Sequence, residues 1–377
     1  MLPDTLAPPE IAPVSDPINA PISNTVIAPV STPDSVAPPR RVMVVTDAWK
    51  PQVNGVVRTM TTVIHELEAM GHTVEVVGPD RFRTIPCPTY PDIRLSLFPG
   101  RGLARMIESF RPDALHISTE GPLGLAARSW ARRRGATFTT AFHTRFAEYI
   151  NARTGLPVGP LYAWMRWFHG AGSGVMVATQ SLRDDLAARG FRHIRPWTRG
   201  VDLTLFQPYE RSDFLDLPRP VSVYIGRVAI EKNIGAFLDL DLPGSKVVVG
   251  GGPQLEALKR AYPSVMFTGP RFGEELARSY ASADVFVFPS VTDTFGLVLL
   301  EALACGTPVA AYPVTGPRDV LAGAAGPVGA VDTDLRRAAL AALNGDRVAC
   351  RAHAETYSWR ACAETFVSSL VPLGVRW

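Results

Sequence analysis

Lysine is scarce in this 377-residue chain, with four against 34 arginines, and cysteine is no commoner at four. Cys87, Cys305, Cys350 and Cys362 stand at spacings that fit neither a metal site nor a disulfide framework, so they read as reduced core or surface thiols. No stretch holds the ~18 unbroken apolar residues of a membrane-spanning helix, and the start has neither the basic cluster nor the apolar run of a secretory signal. The expectation is a cytoplasmic protein, attached at most peripherally to the inner face of the cell membrane. Residues 1–40 lack any Lys or Arg before Arg40 and hold ten of the 34 prolines, the composition of a disordered tail.

Beyond the tail the chain is globular in composition, 46% hydrophobic and 19% charged, and long enough for two domains of about 150 residues. The tail carries four acidic residues against Arg40, so residues 41–377 bear a formal +6 where the whole chain bears +3. That balance suits anionic partners such as nucleotides or lipid head groups and gives no sign of nucleic-acid binding.

Short apolar runs alternate with segments of helical period, the pattern of a parallel sheet wrapped by helices. Residues 42–46, 73–77, 114–117, 136–141 and 174–178 read as strands, with helices over 56–70, 121–134 and 181–189. The alternation pauses over 202–220 and restarts with strands at 221–225, 246–249, 264–268, 285–288 and 308–311. The fold class is α/β, two doubly wound, Rossmann-like domains facing across a cleft, the first over 41–205 and the second over 206–355. In such sheets ligands bind beyond the carboxyl ends of the strands, so the loops there are the place to look.

Between Thr294 and Pro317 the only charged residue is Glu301, set in an apolar helix among Leu297, Val298, Leu299, Leu300 and Leu303. A lone carboxylate in such surroundings needs a hydrogen-bonding partner. An arginine from elsewhere in the fold is one answer. A hydroxyl-rich ligand is the other, favoured by Asp293 eight positions earlier and by free amides at Phe295, Gly296 and Leu297 where the helix opens. Arg227 and Lys232, five residues apart after the strand at 221–225, have the chemistry to hold a diphosphate; solvated cations are the bland alternative. Asn54 and Gly55 form the turn after the first strand, without a Gly-x-Gly-x-x-Gly fingerprint. His143 and Glu120 sit just past strand ends. Gly250-Gly-Gly-Pro253 and Phe267-Thr-Gly-Pro-Arg271 read by themselves as turns.

With Asp293 and Glu301 separated by seven residues, and with Arg227, Lys232 and His143, the sequence resembles the retaining glycosyltransferases of family four, which have the GT-B architecture. The likeness covers roughly residues 41–370 and points to bacterial alpha-mannosyltransferases and sulfoquinovosyl or glucuronosyl diacylglycerol synthases. The family pattern has Glu where this chain has Asp293. The resemblance implies that Asp293 and the backbone of Phe295, Gly296 and Leu297 hold the donor sugar, while Glu301 takes the ribose hydroxyls. It further implies that Asn54 and Gly55 face the donor phosphate, that His143 contacts the sugar, that the turns at 250–253 and 267–271 lie near the nucleotide base, and that residues 356–377 form a helix crossing back to the first domain. Glu120, Arg145 and Tyr149 fall on the acceptor side.

The reaction so implied moves a hexose from a UDP- or GDP-linked donor to a lipid or sugar acceptor with retention of configuration. Arg227 and Lys232 stabilise the departing diphosphate, and neither cofactor nor metal is expected. Aromatic and basic residues together, Trp164 to Phe168 and Arg128 with Arg132–Arg134, suit an anionic membrane surface, although core packing and solvated arginines are the commoner outcomes. Two other readings stay open: a non-catalytic nucleotide-sugar-binding protein of this fold, and a nicotinamide-dependent dehydrogenase, which the missing glycine fingerprint disfavours.

Overall fold

The apolar runs that alternate with helices become strands, and the inner ones, such as those at 114–117, 174–177, 221–225 and 285–288, are buried on both faces as parallel pairing under two helical layers demands. The computed structural model describes residues 40–52, 54–87, 90–214, 216–375 and 377; the Pro-rich tail read over 1–40 lies outside them, Arg40 excepted. The first half runs β1 (Arg41–Val45), α1 (Gly55–Ala69), β2 (Thr73–Val77), β3 (Thr84–Cys87), β4 (Tyr90–Ser96), α2 (Gly100–Phe110), β5 (Ala114–Ile117), α3 (Pro122–Arg134), β6 (Thr139–Phe142), α4 (Phe146–Thr154), α5 (Val158–His169), β7 (Gly174–Val177), α6 (Gln180–Ala188) and β8 (Ile194–Pro196). Its sheet is parallel, in the order β2-β1-β5-β6-β7-β8. The second half runs β9 (Val221–Ile225), α7 (Ile234–Leu238), β10 (Ser245–Val249), α8 (Leu255–Ala261), β11 (Met266–Gly269), α9 (Gly273–Ser282), β12 (Val285–Phe288), α10 (Leu297–Ala304), β13 (Val309–Ala311), α11 (Thr315–Leu321), β14 (Gly329–Val331), α12 (Leu335–Ala342), α13 (Arg347–Ala354) and α14 (Trp359–Ser369). Its parallel sheet has the order β11-β10-β9-β12-β13-β14.

The strand read over 136–141 starts three residues later. Ala136 N–H donates to Ala131 O at 2.9 Å, closing the end of α3, and Thr137 N–H is spent on Leu373 O at 3.0 Å, so neither joins the ladder. Sequence reading also passes over the antiparallel pair β3 and β4 and the three-residue edge strands β8 and β14. In the second sheet Gly250 is obligatory: it takes φ +148°, and a Cβ there would stand 1.8 Å from Gly226 O. The Gly250-Gly-Gly run thus lets the carboxyl ends of β9 and β10 converge, and Val228 N–H bonds Gly251 O at 2.8 Å.

The final helix packs on the first half. Cys362, Ala363, Phe366 and Val367 of α14 share one core with Val42, Val44, Met60, Val63, Leu67 and Trp197, and Trp197 Nε1–H donates to Cys362 O at 3.2 Å. The chain therefore passes between the halves twice, after β8 and before α14. The two passages lie side by side: Val201 N–H donates to Tyr357 O at 3.2 Å, and a Cβ on Gly200 would stand 2.4 Å from Trp359 N.

Candidate active site in the cleft

Loops after the carboxyl ends of both sheets meet in a polar seam. From the second half, the loop after β9 carries Arg227 and ends in a single 3-10 turn, Ile230–Lys232. Asn233 closes that turn in the left-handed conformation and its side-chain amide donates to Pro289 O at 3.2 Å, which ties this loop to the one after β12. Lys232 Nζ reaches both oxygens of Asp293, at 2.6 and 2.8 Å. Burial alone would lower the Lys232 pKa, but the Asp293 carboxylate together with the Tyr149 and Tyr224 hydroxyls outweighs it and holds the ammonium charged well above its ordinary range. Arg227 is half-buried on the same loop, its carbonyl accepting from Tyr224 Oη–H at 2.8 Å, and desolvation draws its guanidinium pKa down.

Past Asp293 the chain enters α10 with Gly296 as the N-cap residue and no side-chain cap. The Phe295 side chain is buried against Tyr357, so only its backbone is available to the cleft. Leu297 Cδ1 lies 4.0 Å from the place a Cβ on Gly55 would occupy, which brings the starts of α1 and α10 together. At the α1 end, Asn54 Oδ1 accepts from Val56 and Val57 N–H, both at 3.0 Å. Asn54 thus caps its own helix, so its side-chain oxygen is spent on the amides of Val56 and Val57.

Glu301 is 3% exposed. Its Oε1 pairs with Arg58 of α1 and its Oε2 accepts from Tyr280 Oη–H at 3.1 Å. Of the two answers the sequence left open for a buried Glu301, the structure displays the arginine, supplied by the opposite half. Arg58 is missed from sequence although it is the only Lys, Arg, Asp or Glu between Lys50 and Glu66, the same signal that exposes Glu301.

His143, just past β6, has both ring nitrogens engaged. Ser118 Oγ lies 3.0 Å from Nε2 and Arg199 Nη2 lies 3.4 Å from Nδ1. A guanidinium only donates, so Nδ1 accepts and the proton sits on Nε2. Burial and the Arg199 charge hold the imidazole neutral, its pKa well below the usual value. The His143 carbonyl accepts from Thr294 Oγ1–H at 2.6 Å across the cleft. This network binds the side chain to protein, and a sugar would have to share the Nε2 proton with Ser118.

Glu120 accepts from His169 Nε2 at 3.1 Å, and His169 Nδ1 meets Thr140 Oγ1 at 2.9 Å. The N-terminus of α3 belongs to a residue sequence reading passed over: Asp47, just past the end of β1, accepts from Leu123 N–H at 2.9 Å, Gly124 N–H at 3.3 Å and Thr119 Oγ1–H at 3.0 Å. Burial, with Glu120 nearby, lifts the Asp47 pKa to about 6. Arg145, read on the acceptor side, is engaged by carboxylates of its own half. It is paired with Glu148 at 3.2 Å and Asp185 at 2.9 Å, and Glu148 also accepts from Tyr162 at 2.7 Å. Tyr149 does reach the cleft: its hydroxyl bonds Thr292 beside Lys232 and Asp293, and burial raises its pKa. Below the cleft, Asp319 of α11 accepts from Ser181 N–H at 2.7 Å and from Ser181 Oγ–H, capping α6 from the other half. Among the described residues, no three His, Cys, Asp or Glu side chains are grouped to hold a metal ion.

The first half matches the Glycosyltransferase Family 4 profile over residues 53–205, and the second the profile of Glycosyl transferases group 1 over 219–344. The chain is 32% identical over 307 residues to a GDP-mannose-dependent alpha-mannosyltransferase of Mycobacterium tuberculosis, covering 74% of this chain and 81% of that one. It is 29% identical to an alpha-monoglucosyldiacylglycerol synthase of Streptococcus pneumoniae over 72% of this chain and 71% of that one. Anabaena HepE, solved with UDP and glucose, superposes with a TM-score of 0.63 at 14% identity, covering 87% of this chain and 98% of that one. Two parallel sheets meeting at their carboxyl ends, with profile matches in each half, set the dehydrogenase reading aside: the chain belongs to glycosyltransferase family four and is a glycosyltransferase of the GT-B fold.

Proposed function

We propose that this enzyme moves a hexose from a nucleotide diphosphate donor to a membrane glycolipid or diacylglycerol, with retention of configuration. The observation that carries the donor reading is the pairing of Lys232 with Asp293 on adjoining loops, a few residues before Glu301. Glu301 takes the ribose hydroxyls, Asp293 and the backbone of 295–297 take the sugar, and Lys232 with Arg227 faces the diphosphate. Their positive charge stabilises the departing phosphate without need of a metal ion, and a phosphate oxygen accepts the acceptor's proton on the face where the sugar bond breaks. Tyr149 is the acceptor-side residue that the cleft geometry favours, ahead of Glu120 and Arg145. Relatives named for GDP-mannose and for a diacylglycerol product, and a fold neighbour solved with UDP and glucose, support a hexose donor of this type.

Membrane attachment through the first half fits the same reading. Midway along α3, the Arg128 guanidinium lies 3.6 Å over the Trp167 ring and donates to the Trp167 and Phe168 carbonyls at 2.9 and 3.2 Å. Arg132, Arg166, Gly170 and Ala171 complete a hollow beside them, and Trp167 is 53% exposed. Phe168 and Trp164 instead join core clusters, so only part of the aromatic run is available to a bilayer. No described helix is long and apolar enough to cross one.

A thermal-shift panel of UDP- and GDP-linked sugars tests the donor assignment, since a ligand of the folded state raises the melting temperature by mass action. One nucleotide sugar should shift the wild type, and Glu301→Ala should lose both the shift and sugar transfer. A Glu301→Ala enzyme with unchanged transfer would sink the assignment.

A further inference from the structure

Both carboxylates assigned to the donor carry an internal cation in this structure, and the two cations come from different places. Lys232 stands in the same half as Asp293. Arg58 reaches Glu301 from α1 of the other half, 243 residues away in sequence. Glu301 is nearly sealed from water, so its oxygens are shared among whatever groups the protein or a ligand brings to them, and both are now engaged, Oε1 by Arg58 and Oε2 by Tyr280. A ribose offering two hydroxyls must claim at least one.

The two partners differ in what they are free to do. Tyr280 is fully buried, with its ring edge-on to Phe206 and Phe286 at 6.1 and 5.5 Å, and withdrawing its hydroxyl would leave it without water. Arg58 keeps 40% of its side chain exposed and lies 5.3 Å over the Phe206 ring, so its guanidinium can leave Oε1 and regain solvent. Hydroxyl-to-carboxylate bonds then replace an ion pair at Oε1, and one polar tie between the halves opens as they form.

We propose that Arg58 competes with the donor ribose for Glu301, setting nucleotide affinity from the opposite side of the cleft. This rests on the assignment of Glu301 to the ribose. Removing the competitor leaves Glu301 buried and without its cation, a state that ribose hydroxyls relieve.

The test compares wild type, Arg58→Met, Arg58→Lys and Glu301→Gln by calorimetric titration with UDP and GDP and with their 2′,3′-dideoxy forms. The quantity of interest is the ratio of ribo to dideoxy affinity, which cancels the general effect of removing a cation near a diphosphate. Arg58→Met should raise that ratio about tenfold over wild type, equivalent to about 1.4 kcal/mol, while Arg58→Lys stays within about twofold of wild type. Arg58→Met should also melt lower than wild type alone and gain more on saturation with the nucleotide. An unchanged or reduced ratio in a folded Arg58→Met protein overturns the competition and leaves the donor site standing. If wild type and Glu301→Gln show the same ratio, the ribose assignment falls and the competition falls with it.

Discussion

The Lys232–Asp293 pair can be weighed by a double-mutant cycle. Both side chains are mostly buried, with 21% and 18% exposed, and Lys232 Nζ engages both carboxylate oxygens. Breaking a fully buried pair by removing one partner costs about 3–5 kcal/mol, and exposed pairs are worth at most about 1 kcal/mol. The remaining exposure here places each single change, Lys232→Met or Asp293→Asn, at about 2 kcal/mol of destabilisation, between those two limits. Lys232→Met has the sharper cost, because it leaves an anion with no cation, while Asp293→Asn keeps an acceptor for the ammonium. The double variant should cost less than the sum by about 1.5 kcal/mol or more, the signature of coupled partners. Denaturant unfolding of the four proteins measures this. Parallel assays of transfer should show Lys232→Met down by at least about a hundredfold in kcat, about 2.7 kcal/mol of transition-state stabilisation. Additive stabilities, with coupling below about 0.3 kcal/mol, would refute the pair, and full turnover in Lys232→Met would refute its place at the diphosphate.

Two further outcomes follow from other parts of the molecule. The folded-state pKa of Asp47, about 6, stands above its ordinary value of 3.8, so its contribution to stability is present in full below about pH 4 and is lost as pH rises through 6. Wild type should lose about 3 kcal/mol relative to Asp47→Asn across that window, and equal unfolding free energies from about pH 4 to 7 would contradict it. For the membrane surface, flotation with anionic vesicles should be lost on charge reversal at Arg132 and Arg133, whose guanidinia have no described acidic partner, and retained on reversal at Arg105 on the neighbouring α2; equal flotation of all variants would count against docking at this face.

What the sequence discloses depends on whether a signal is local. Runs such as Val221–Ile225 and Val285–Phe288 are buried on both faces, so an unbroken apolar stretch between helices is enough to identify them. β8 and β14 have three residues each, too few to show a period, and Pro86 with the shifted register beside it obscures β3. In the cleft, Glu301 and Lys232 are legible because each is out of character with its surroundings, one a lone charge in an apolar helix and the other a rare lysine. Arg58 carries the same kind of signal, but its meaning lies in a partner 243 residues away, and pairing at that range is not written in any local pattern. Asp47 is hidden for a related reason: the amides it caps belong to α3, 76 and 77 residues on. Arg145 looks like a cleft residue by position, yet the carboxylates that claim it, Glu148 and Asp185, come together only when α4 and α6 fold against each other.

The paired passages between the halves, held together where Gly200 meets Trp359 and Val201 bonds Tyr357, act as a door hung on a single narrow hinge. With two strands of backbone fixed side by side at one edge, sliding and twisting of one half against the other are resisted, and swinging about that line is what remains. Points close to the line barely travel, so the α14 packing and the Trp197 core can persist unchanged through a swing, while Arg58, Thr294 and Ser181, each reaching across the gap, register it as hydrogen bonds made or broken. Any rotation about that line would be felt at the centre of the molecule as a change of partners for those few side chains.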